Sequence, residues 1–523
     1  MTNFRKTSRS FVLGALAGAA LAAPASAQLF ETAIGRPGAF VNDVLDDTIW
    51  VQQNPAGLPP SVVSAGWLET TAFSNDIYVI QQDSAGAYVW DTLLRTSSRE
   101  EGNEIVVSPD GYTLVAEAAT PPGFPPGLEI TLTRLDPFGV PIWSRRYTGS
   151  AFIGDTQGGA DVYQVSDSTL VASGRVAAPI VPVIQAPVAF RTGAFGAPLW
   201  ANYYFDPAIA DATFGSFADI HEFRTADGEI NFIATGYLSG PNGDTASRDT
   251  LVVRLDGAGV VLWSNLYRFD YGEEGLGVEV TANGEIVVTG LEHSDAYSSF
   301  MMRLKADGSL IWYKRYFGLD AVDGSVREVG GSRLVTVGVG PTPNATEALL
   351  LITDPAGMPI GVQAYGGDRD EAGDAIDTTP DGYVIGAQTD SFAFGAEDLY
   401  TLRTDFSGKT GCEQPRQVGW DNFQPQLVEL QLRGLQIPQN QTWQWEYQQP
   451  QLPISPVCDT SPCPSCACEW AAPFNVCDFS DVVAFLGAFG ANDPCACSLA
   501  APLNVCDFSD VVAFLTSFSA GCP

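Results

Sequence analysis

Three loops of this chain each carry several carboxylates, the side chains best suited to holding a cation. The loops read GGDRDEAGDAID, FDYGEEG and GLDAVDG. Their acidic residues are Asp270, Glu273, Glu274, Asp320, Asp323, Asp368, Asp370, Glu371 and Asp374. Carboxylate oxygens that converge from several loops bind calcium or a cationic ligand, and no two of these residues show the fixed spacing of a catalytic acid–base pair. The pattern is typical of a solvated acidic rim, and a binding site for calcium or a cationic ligand is the functional alternative.

The charge and histidine content of the chain limit the classes of molecule and the kinds of site that we expect. The 523 residues include 61 acidic and 26 basic ones, so the net charge is −35. Such a surface repels phosphate backbones and anionic membranes, and we therefore do not expect nucleic acid as a partner. The two histidines, His221 and His293, are far apart in the sequence, which argues against a histidine-based triad or a multi-histidine metal site.

Loops that are far apart in the sequence come together only when a regular framework holds them. The sequence indicates such a framework, because it repeats about every fifty residues. An apolar strand ending in a small residue recurs seven times, as in LVASGRV and FIATGYL, and an alternating strand with a glycine turn follows it, as in RLDGAGVVLW. Each unit indicates four short antiparallel strands. Seven units predict an all-β fold, a seven-bladed β-propeller over residues 28–411, with a β-sandwich array as the alternative. Equivalent loops of a propeller open on one face, where the acidic loops would surround the channel mouth.

Aromatic residues hold a fixed place in the repeat. Tryptophan occupies one position in five units, at Trp90, Trp143, Trp200, Trp263 and Trp312. Tyrosine follows four residues later at Tyr147, Tyr204, Tyr267 and Tyr316, and again at Tyr365. Positions i and i+4 of a strand share a face, so each pair predicts an aromatic strip packed against one neighbouring blade, with sugar stacking as the alternative.

The repeat resembles the tryptophan- and glycine-marked propeller repeats of secreted bacterial surface proteins, over about residues 29–411. That resemblance implies a scaffold, a binder or occasionally an enzyme, and fixes no activity. The LD..G..LW strings are also similar to those of quinone-cofactor propeller enzymes, which by family resemblance usually add a vicinal disulfide beneath the cofactor. The propeller region has no cysteine and seven units rather than eight, so a quinoprotein is a minor alternative.

The C-terminal residues form a duplication. Residues 466–494 and 495–523 align without gaps and share 21 of 29 positions, each copy containing NVCDFSDVVAFL. Polar side chains ahead of an apolar run predict a capped helix of about two turns in each copy. The tandem resembles the dockerin-like repeats that end many exported planctomycete proteins, and predicts a small α-helical module over residues 465–523.

The dockerin resemblance implies calcium loops and a cohesin-like or cell-surface partner. The ligand positions it assigns here are Glu469, Asp478, Asp481, Ser498, Asp507 and Asp510, an incomplete set. All ten cysteines lie in the final 112 residues, and in an exported chain they favour disulfides over zinc. The proposed pairs are Cys468–Cys477, Cys497–Cys506 and Cys412–Cys458, among many other connectivities. Residues 412–464 predict a linker or strand extension, alternating like one or two strands.

The N-terminus predicts export. Basic residues, the apolar run FVLGALAGAALAA and the sequence ASA form a signal peptide over residues 1–27, and no later stretch is apolar enough to span a membrane. We therefore expect an exported or cell-surface binding or structural propeller, docked through its tail, rather than an enzyme. Calcium is the one cofactor expected, and a glycan is a candidate ligand. The alternatives are an extracellular polysaccharide-acting enzyme with its site at the channel mouth and, less favoured, the quinone-cofactor enzyme.

Overall fold

The computed structural model describes residues 29–35, 43–52, 57–71, 74–96, 100–119, 128–148, 161–177, 185–206, 214–239, 248–268, 271–293, 298–320, 325–393, 397–422, 424–431, 433–436, 439–443, 446–450, 452 and 454–458, together with ten residues of the C-terminal repeat. The predicted signal peptide lies outside the described residues. Within the described part of the chain, no helix has the length and apolar character needed to cross a membrane.

Seven four-stranded antiparallel sheets form a closed ring, which confirms the predicted seven-bladed propeller. Strand β1 (Phe30–Ile34) belongs to blade 7, and the other blades use consecutive strands. Blades 1 and 2 contain β2 (Asp43–Val51), β3 (Ser61–Thr71), β4 (Ser74–Asp83), β5 (Tyr88–Arg95), β6 (Glu100–Ser108), β7 (Gly111–Ala119), β8 (Leu128–Leu135) and β9 (Pro141–Thr148). Blades 3 and 4 contain β10 (Val162–Gln164), β11 (Leu170–Ala177), β12 (Gln185–Thr192), β13 (Pro198–Phe205), β14 (Phe214–Arg224), β15 (Ile230–Ser239), β16 (Asp249–Asp256) and β17 (Val261–Arg268).

The remaining blades continue the same order from the channel outwards. Blades 5 and 6 contain β18 (Glu273–Val280), β19 (Ile286–Glu292), β20 (Ser298–Leu304), β21 (Leu310–Phe317), β22 (Val326–Val329), β23 (Arg333–Pro341), β24 (Thr346–Thr353) and β25 (Pro359–Tyr365). Blade 7 contains β26 (Glu371–Thr378), β27 (Gly382–Thr389), β28 (Asp398–Asp405) and β1. Because β1 pairs with β28, with Phe30 opposite Arg403 and Ile34 opposite Leu399, the start of the chain closes the ring.

Every blade has a fifth, outermost strand supplied by residues 414–458. These strands are β29 (Gln414–Pro415), β30 (Gly419–Asn422), β31 (Gln426–Glu429), β32 (Arg433–Gln436), β33 (Gln439–Trp443), β34 (Glu446–Gln448) and β35 (Ile454–Cys458). They pair in turn with blades 6, 5, 4, 3, 2, 1 and 7. This girdle circles the propeller once, against the order of the blades, and contains seven strands rather than one or two.

The two ends of the girdle meet at strand β1. Cys458 of β35 is the register partner of Glu31, and the Thr410 hydroxyl, just before the girdle begins, donates to the Glu31 carboxylate. Cys412 is disulfide-bonded, and the described residues include no free cysteine. The girdle therefore returns to the point at which it started.

The aromatic strips join each blade to the next. In blade 4, Arg254 Nη1 and Trp263 Nε1 both donate to the Ala306 carbonyl, at 3.0 and 3.1 Å, and the Tyr267 hydroxyl donates to the Gly308 carbonyl at 2.6 Å. The same tyrosine–glycine bond joins Tyr147 to Gly196, Tyr204 to Gly259, Tyr316 to Gly357 and Tyr365 to Gly408. Each strip thus lies between two blades and donates hydrogen bonds to main-chain carbonyls in the turn that follows the third strand of the next blade.

In the C-terminal repeat, five residues of each copy are described and all ten have helical backbone. The rings of Phe485 and Phe514, which hold equivalent positions, stack with centroids 4.1 Å apart and planes within 3°. These fragments do not amount to a helical module, which stays a prediction. The proposed calcium ligands and tail cysteines lie outside the described residues, namely Glu469, Asp478, Asp481, Ser498, Asp507, Asp510, Cys468, Cys477, Cys497 and Cys506.

Candidate functional site

The inner strands of five blades contain a β-bulge, and the bulges open onto the central channel. The extra residues are Asp46, Asn103, Ala218, Leu276 and Asp374. A bulge places one extra residue on one strand and redirects the neighbouring side chains. All five, and the residue after each, line a channel pocket of about 130 Å³, together with His221, Ser325 and Arg327. We call this the central pocket.

Small residues on the second strand make room for the bulges. Gly236 lies opposite Phe217, next to the bulge of blade 4, and a Cβ there would collide with the Ser216 carbonyl. Gly66 and Gly290 meet the corresponding carbonyls in blades 1 and 5. In these three blades, the small residue that ends the apolar strand of the sequence repeat therefore lies where the bulge forms.

The carboxylate after the bulge position connects neighbouring blades. Asp47 Oδ2 accepts the Ile105 N–H at 2.9 Å. Asp161 Oδ2 accepts the Ile220 N–H, and Asp219 Oδ2 the Val278 N–H, both at 2.6 Å. These acids thus satisfy main-chain donors of the next inner strand, and their charge is held beside the channel for a structural reason.

Burial favours the protonated form of the carboxyl groups in and beside the central pocket. Burial raises the pKa of Asp47 to about 7 and that of Glu104 to about 8. The pKa of Asp161 is raised first by burial and then by the charges of Glu104 and Asp219. Carboxyl groups this close cannot all ionise at little cost, so protons are shared among adjacent blades near neutral pH.

A single arginine offsets the acids on one side of the pocket. Burial alone would lower the pKa of Arg327, but the carboxylates of Asp377 and Glu279 raise it, and its Nε lies 3.7 Å from Asp377. His221 lies 3.6 Å from both Asp219 and Glu279, yet burial lowers its pKa, so it is neutral at physiological pH. The pocket therefore presents several carboxyl groups to one permanent cation.

Of the acids predicted from the loops, Asp374 alone lines the central pocket. Glu371 instead accepts hydrogen bonds from the main-chain N–H groups of Gly367 and Ser391, both at 3.0 Å. Asp370 accepts the Thr346 N–H at 2.8 Å. These two carboxylates therefore hold loops together on blades 6 and 7.

The other predicted acids are dispersed. Glu274 pairs with Arg248 and lies 3.2 Å from His293 Nε2. Glu273 is fully buried, Asp368 is exposed, and the main chain of Asp320 bonds to Val339. Asp270 and Asp323 lie outside the described residues. Among the described residues, those of the central pocket included, no group of three His, Cys, Asp or Glu side chains is placed to hold a metal ion.

Reasoning from the sequence missed most of the central pocket, although a signal for it was present. Asp47, Glu104, Asp161 and Asp219 recur at intervals of 57, 57 and 58 residues, each just before the strand core of its unit. An acidic residue repeated at the blade period, rather than a cluster of acids within one loop, indicates side chains that meet at the axis of a propeller.

Comparison with known proteins gives distant similarities only. No family model and no curated protein matches the chain. The solved structures that match include phage phi92 endosialidase (12% identity, 72% of this chain and 69% of that one, TM-score 0.39), a putative exo-β-1,3-galactanase from Bifidobacterium bifidum s17 (14%, 52% and 94%, 0.30) and Sqt1 from Chaetomium thermophilum (11%, 72% and 100%, 0.35). Likeness this distant assigns neither a substrate nor a functional residue.

Proposed function

We propose that this chain is an exported binding protein, in which the propeller is a rigid scaffold and the central pocket takes the cationic group of a ligand. The observation that carries the proposal is the set of buried carboxyl groups facing a single arginine. An ammonium or guanidinium group would replace the shared protons, because a positive charge stabilises the ionised carboxylates that burial disfavours. The pocket volume, about 130 Å³, suits such a group on a short alkyl chain.

Calorimetric titration of the full chain with putrescine tests this function. Binding should release protons near pH 6 to 7, and it should strengthen while this release declines as the pH rises to 8.5. Asp46→Asn and Asp374→Asn should each weaken binding at least about tenfold, or about 1.4 kcal/mol. The matched control is Asp227→Asn on an exposed turn outside the pocket. Equal binding by these variants and wild type, or no binding at pH 8.5, would rule out the central pocket as the site.

We further propose that residues 1–27 direct export and that the C-terminal repeat attaches the protein outside the cell through a cohesin-like or other surface partner. The stacking of Phe485 on Phe514 supports mutual packing of the two copies. Mass spectrometry of the secreted protein should find an N-terminus at Gln28. Calcium titration of the full chain, with and without Asp478→Ala, decides whether the degenerate loops bind that ion; an identical heat signal in both would rule it out.

A polysaccharide-acting enzyme is the second candidate, and one observation favours it. Burial raises the pKa of Glu104 to about 8, and a carboxyl group that keeps its proton at neutral pH can act as a general acid. Release of reducing ends from a neutral polysaccharide, lost in Glu104→Gln while the far-ultraviolet circular dichroism of the variant matches that of the wild type, would establish this function. No release by the wild type over a panel of polysaccharides would exclude it.

A further inference from the structure

A second cavity lies on the outside of the propeller, far from the axis. It has a volume of about 490 Å³ and is lined by strand β17, girdle strand β31 and the blade 5 turn that contains Asp307 and Ser309. Trp263, Ser264 and Asn265 line it from β17, and Leu427, Glu429 and Gln431 from the girdle segment. We call this cavity the outer groove.

The outer groove combines an aromatic ring with hydrogen-bonding groups. The indole N–H of Trp263 is already used by the Ala306 carbonyl, so the side chain is fixed and half-buried. Asp307 Oδ1 accepts the Ser309 N–H at 3.0 Å and the Ser309 hydroxyl at 2.6 Å, and these bonds lower the pKa of Asp307. Asp307 is therefore an oriented, ionised acceptor beside a fixed indole.

Glu429 and Gln431 add exposed acceptors and donors on the opposite wall. An immobilised aromatic ring with converging carboxylate and amide groups suits a pyranose, which has an apolar C–H face and a rim of hydroxyl groups. The acidic wall and the net charge of −35 disfavour uronic acids and sulfated sugars, because like charges repel.

Blade 5 shows how the same position can be filled. Lys314 follows Trp312 by two residues, as Asn265 follows Trp263. Its Nζ donates to Asn422 of the girdle at 2.7 Å and lies 4.6 Å from the centre of the Trp420 ring. The lysine thus bridges from the outer strand to the girdle.

In blade 4, the register partner of Asn265 on the girdle is Glu429, and the short asparagine does not bridge to it. Two of the differences in sequence at this position are asparagine for lysine on the outer strand and Leu427 for Trp420 on the girdle. The smaller side chains at these two positions therefore leave the blade 4 position without the bridge seen in blade 5.

We propose that the outer groove binds a sugar residue of a neutral polysaccharide. The pyranose face packs on Trp263, and its hydroxyl groups donate to Asp307 and Glu429. This site is independent of the central pocket and of the cation bound there. It gives the exported protein a second point of contact, with a polysaccharide outside the cell.

The test uses the full chain and a panel of neutral gluco-, xylo-, manno- and galacto-hexaoses at millimolar concentrations, followed by calorimetry. At least one hexaose should bind. Asn265→Lys should abolish this binding, because it imports the side chain that bridges the position in blade 5 without requiring a new backbone conformation. Glu429→Gln should weaken binding about tenfold while the fold is unchanged, since Glu429 is exposed.

The matched control is Lys314→Asn, which alters the equivalent position of blade 5 and should leave hexaose affinity unchanged. Putrescine binding measured on the same samples should be the same in all three variants, so failure of the groove and failure of the central pocket are separated. No binding to any hexaose, or unchanged binding by Asn265→Lys, would overturn the proposal. The proposal would also be overturned if the wild type bound putrescine but no sugar and if Asn265→Lys lost that putrescine binding.

Discussion

Removing one hydroxyl group from two equivalent tyrosines should have unequal effects on stability. The Tyr316 hydroxyl donates to the buried Gly357 carbonyl at 2.8 Å, the one side-chain bond that the described residues give to this oxygen. The buried Gly259 carbonyl instead accepts both the Tyr204 hydroxyl at 3.0 Å and Asn202 Nδ2 at 3.2 Å. The two sites differ in how many donors remain after a substitution to phenylalanine.

The expected magnitudes follow from what is left unsatisfied. Tyr316→Phe leaves a buried carbonyl without a donor and should lower the free energy of unfolding by about 2 to 3 kcal/mol. Tyr204→Phe leaves the bond from Asn202 in place and should cost about 1 kcal/mol. In the double variant Asn202→Ala/Tyr204→Phe, the loss in free energy of unfolding should exceed the sum of the two single losses by about 1 kcal/mol. The reason is that only the double variant leaves the Gly259 carbonyl without a side-chain donor.

Urea unfolding of the full chain, followed in parallel by tryptophan fluorescence and far-ultraviolet circular dichroism, measures these free energies. Coincident transitions from the two probes are required before the values are compared. Equal losses for Tyr316→Phe and Tyr204→Phe, together with strict additivity in the double variant, would refute the assignment of one and two donors to the two carbonyls.

Three further outcomes are expected. Because burial raises the pKa of Glu104 to about 8, the folded state keeps a proton that the unfolded chain releases, and stability should fall as the pH rises from about 4.5 to 8. Glu104→Gln should flatten this dependence of stability on pH, and an unchanged slope would contradict the prediction. Peptide mapping without reductant should find Cys412 joined to Cys458, at the two ends of the girdle, and any other partner for Cys412 rejects this pairing. Gly236→Ala should cost about 1–3 kcal/mol because its Cβ meets a main-chain carbonyl, whereas Gly193→Ala, whose Cβ would make an ordinary contact with the Ala197 carbonyl at 3.9 Å, should be near neutral in the same urea assay.

The blade count was predictable because its signals are local. A glycine turn needs its glycine, as at Gly308 with φ of 81°, and the tryptophan and tyrosine that bind the next turn keep a fixed distance from it in sequence. The described loop acids do not all meet at the channel, because a carboxylate in a loop can be used by the loop itself: Glu371 is 1% exposed and accepts hydrogen bonds from amides of its own loops. Charge at the axis came instead from single acids such as Asp47, which a bulge turns towards the channel.

The girdle was beyond reach of the sequence for a different reason. Its strands have two to five residues, so the alternation in the segment indicated one or two strands but did not resolve seven. Each strand is stabilised by pairing with a strand that can lie hundreds of residues away, as Ile454 with Ile34. The Gln- and Pro-rich composition of the segment is also typical of spacers. Such pairing depends on seven available sheet edges rather than on any property of the segment itself.

The path of the girdle imposes an order on biosynthesis. Strand β1 leaves the ribosome first, but its partners β28 and β35 are made last, about 370 and 420 residues later. The ring therefore cannot close before β28 has been synthesised, and the outer edges cannot be covered before residues 414–458 have followed. A chain stopped before residue 414 would expose seven unpaired edges to proteases and to other chains. The fold thus couples coverage of the seven outer edges, and with it resistance to degradation, to synthesis of residues 414–458.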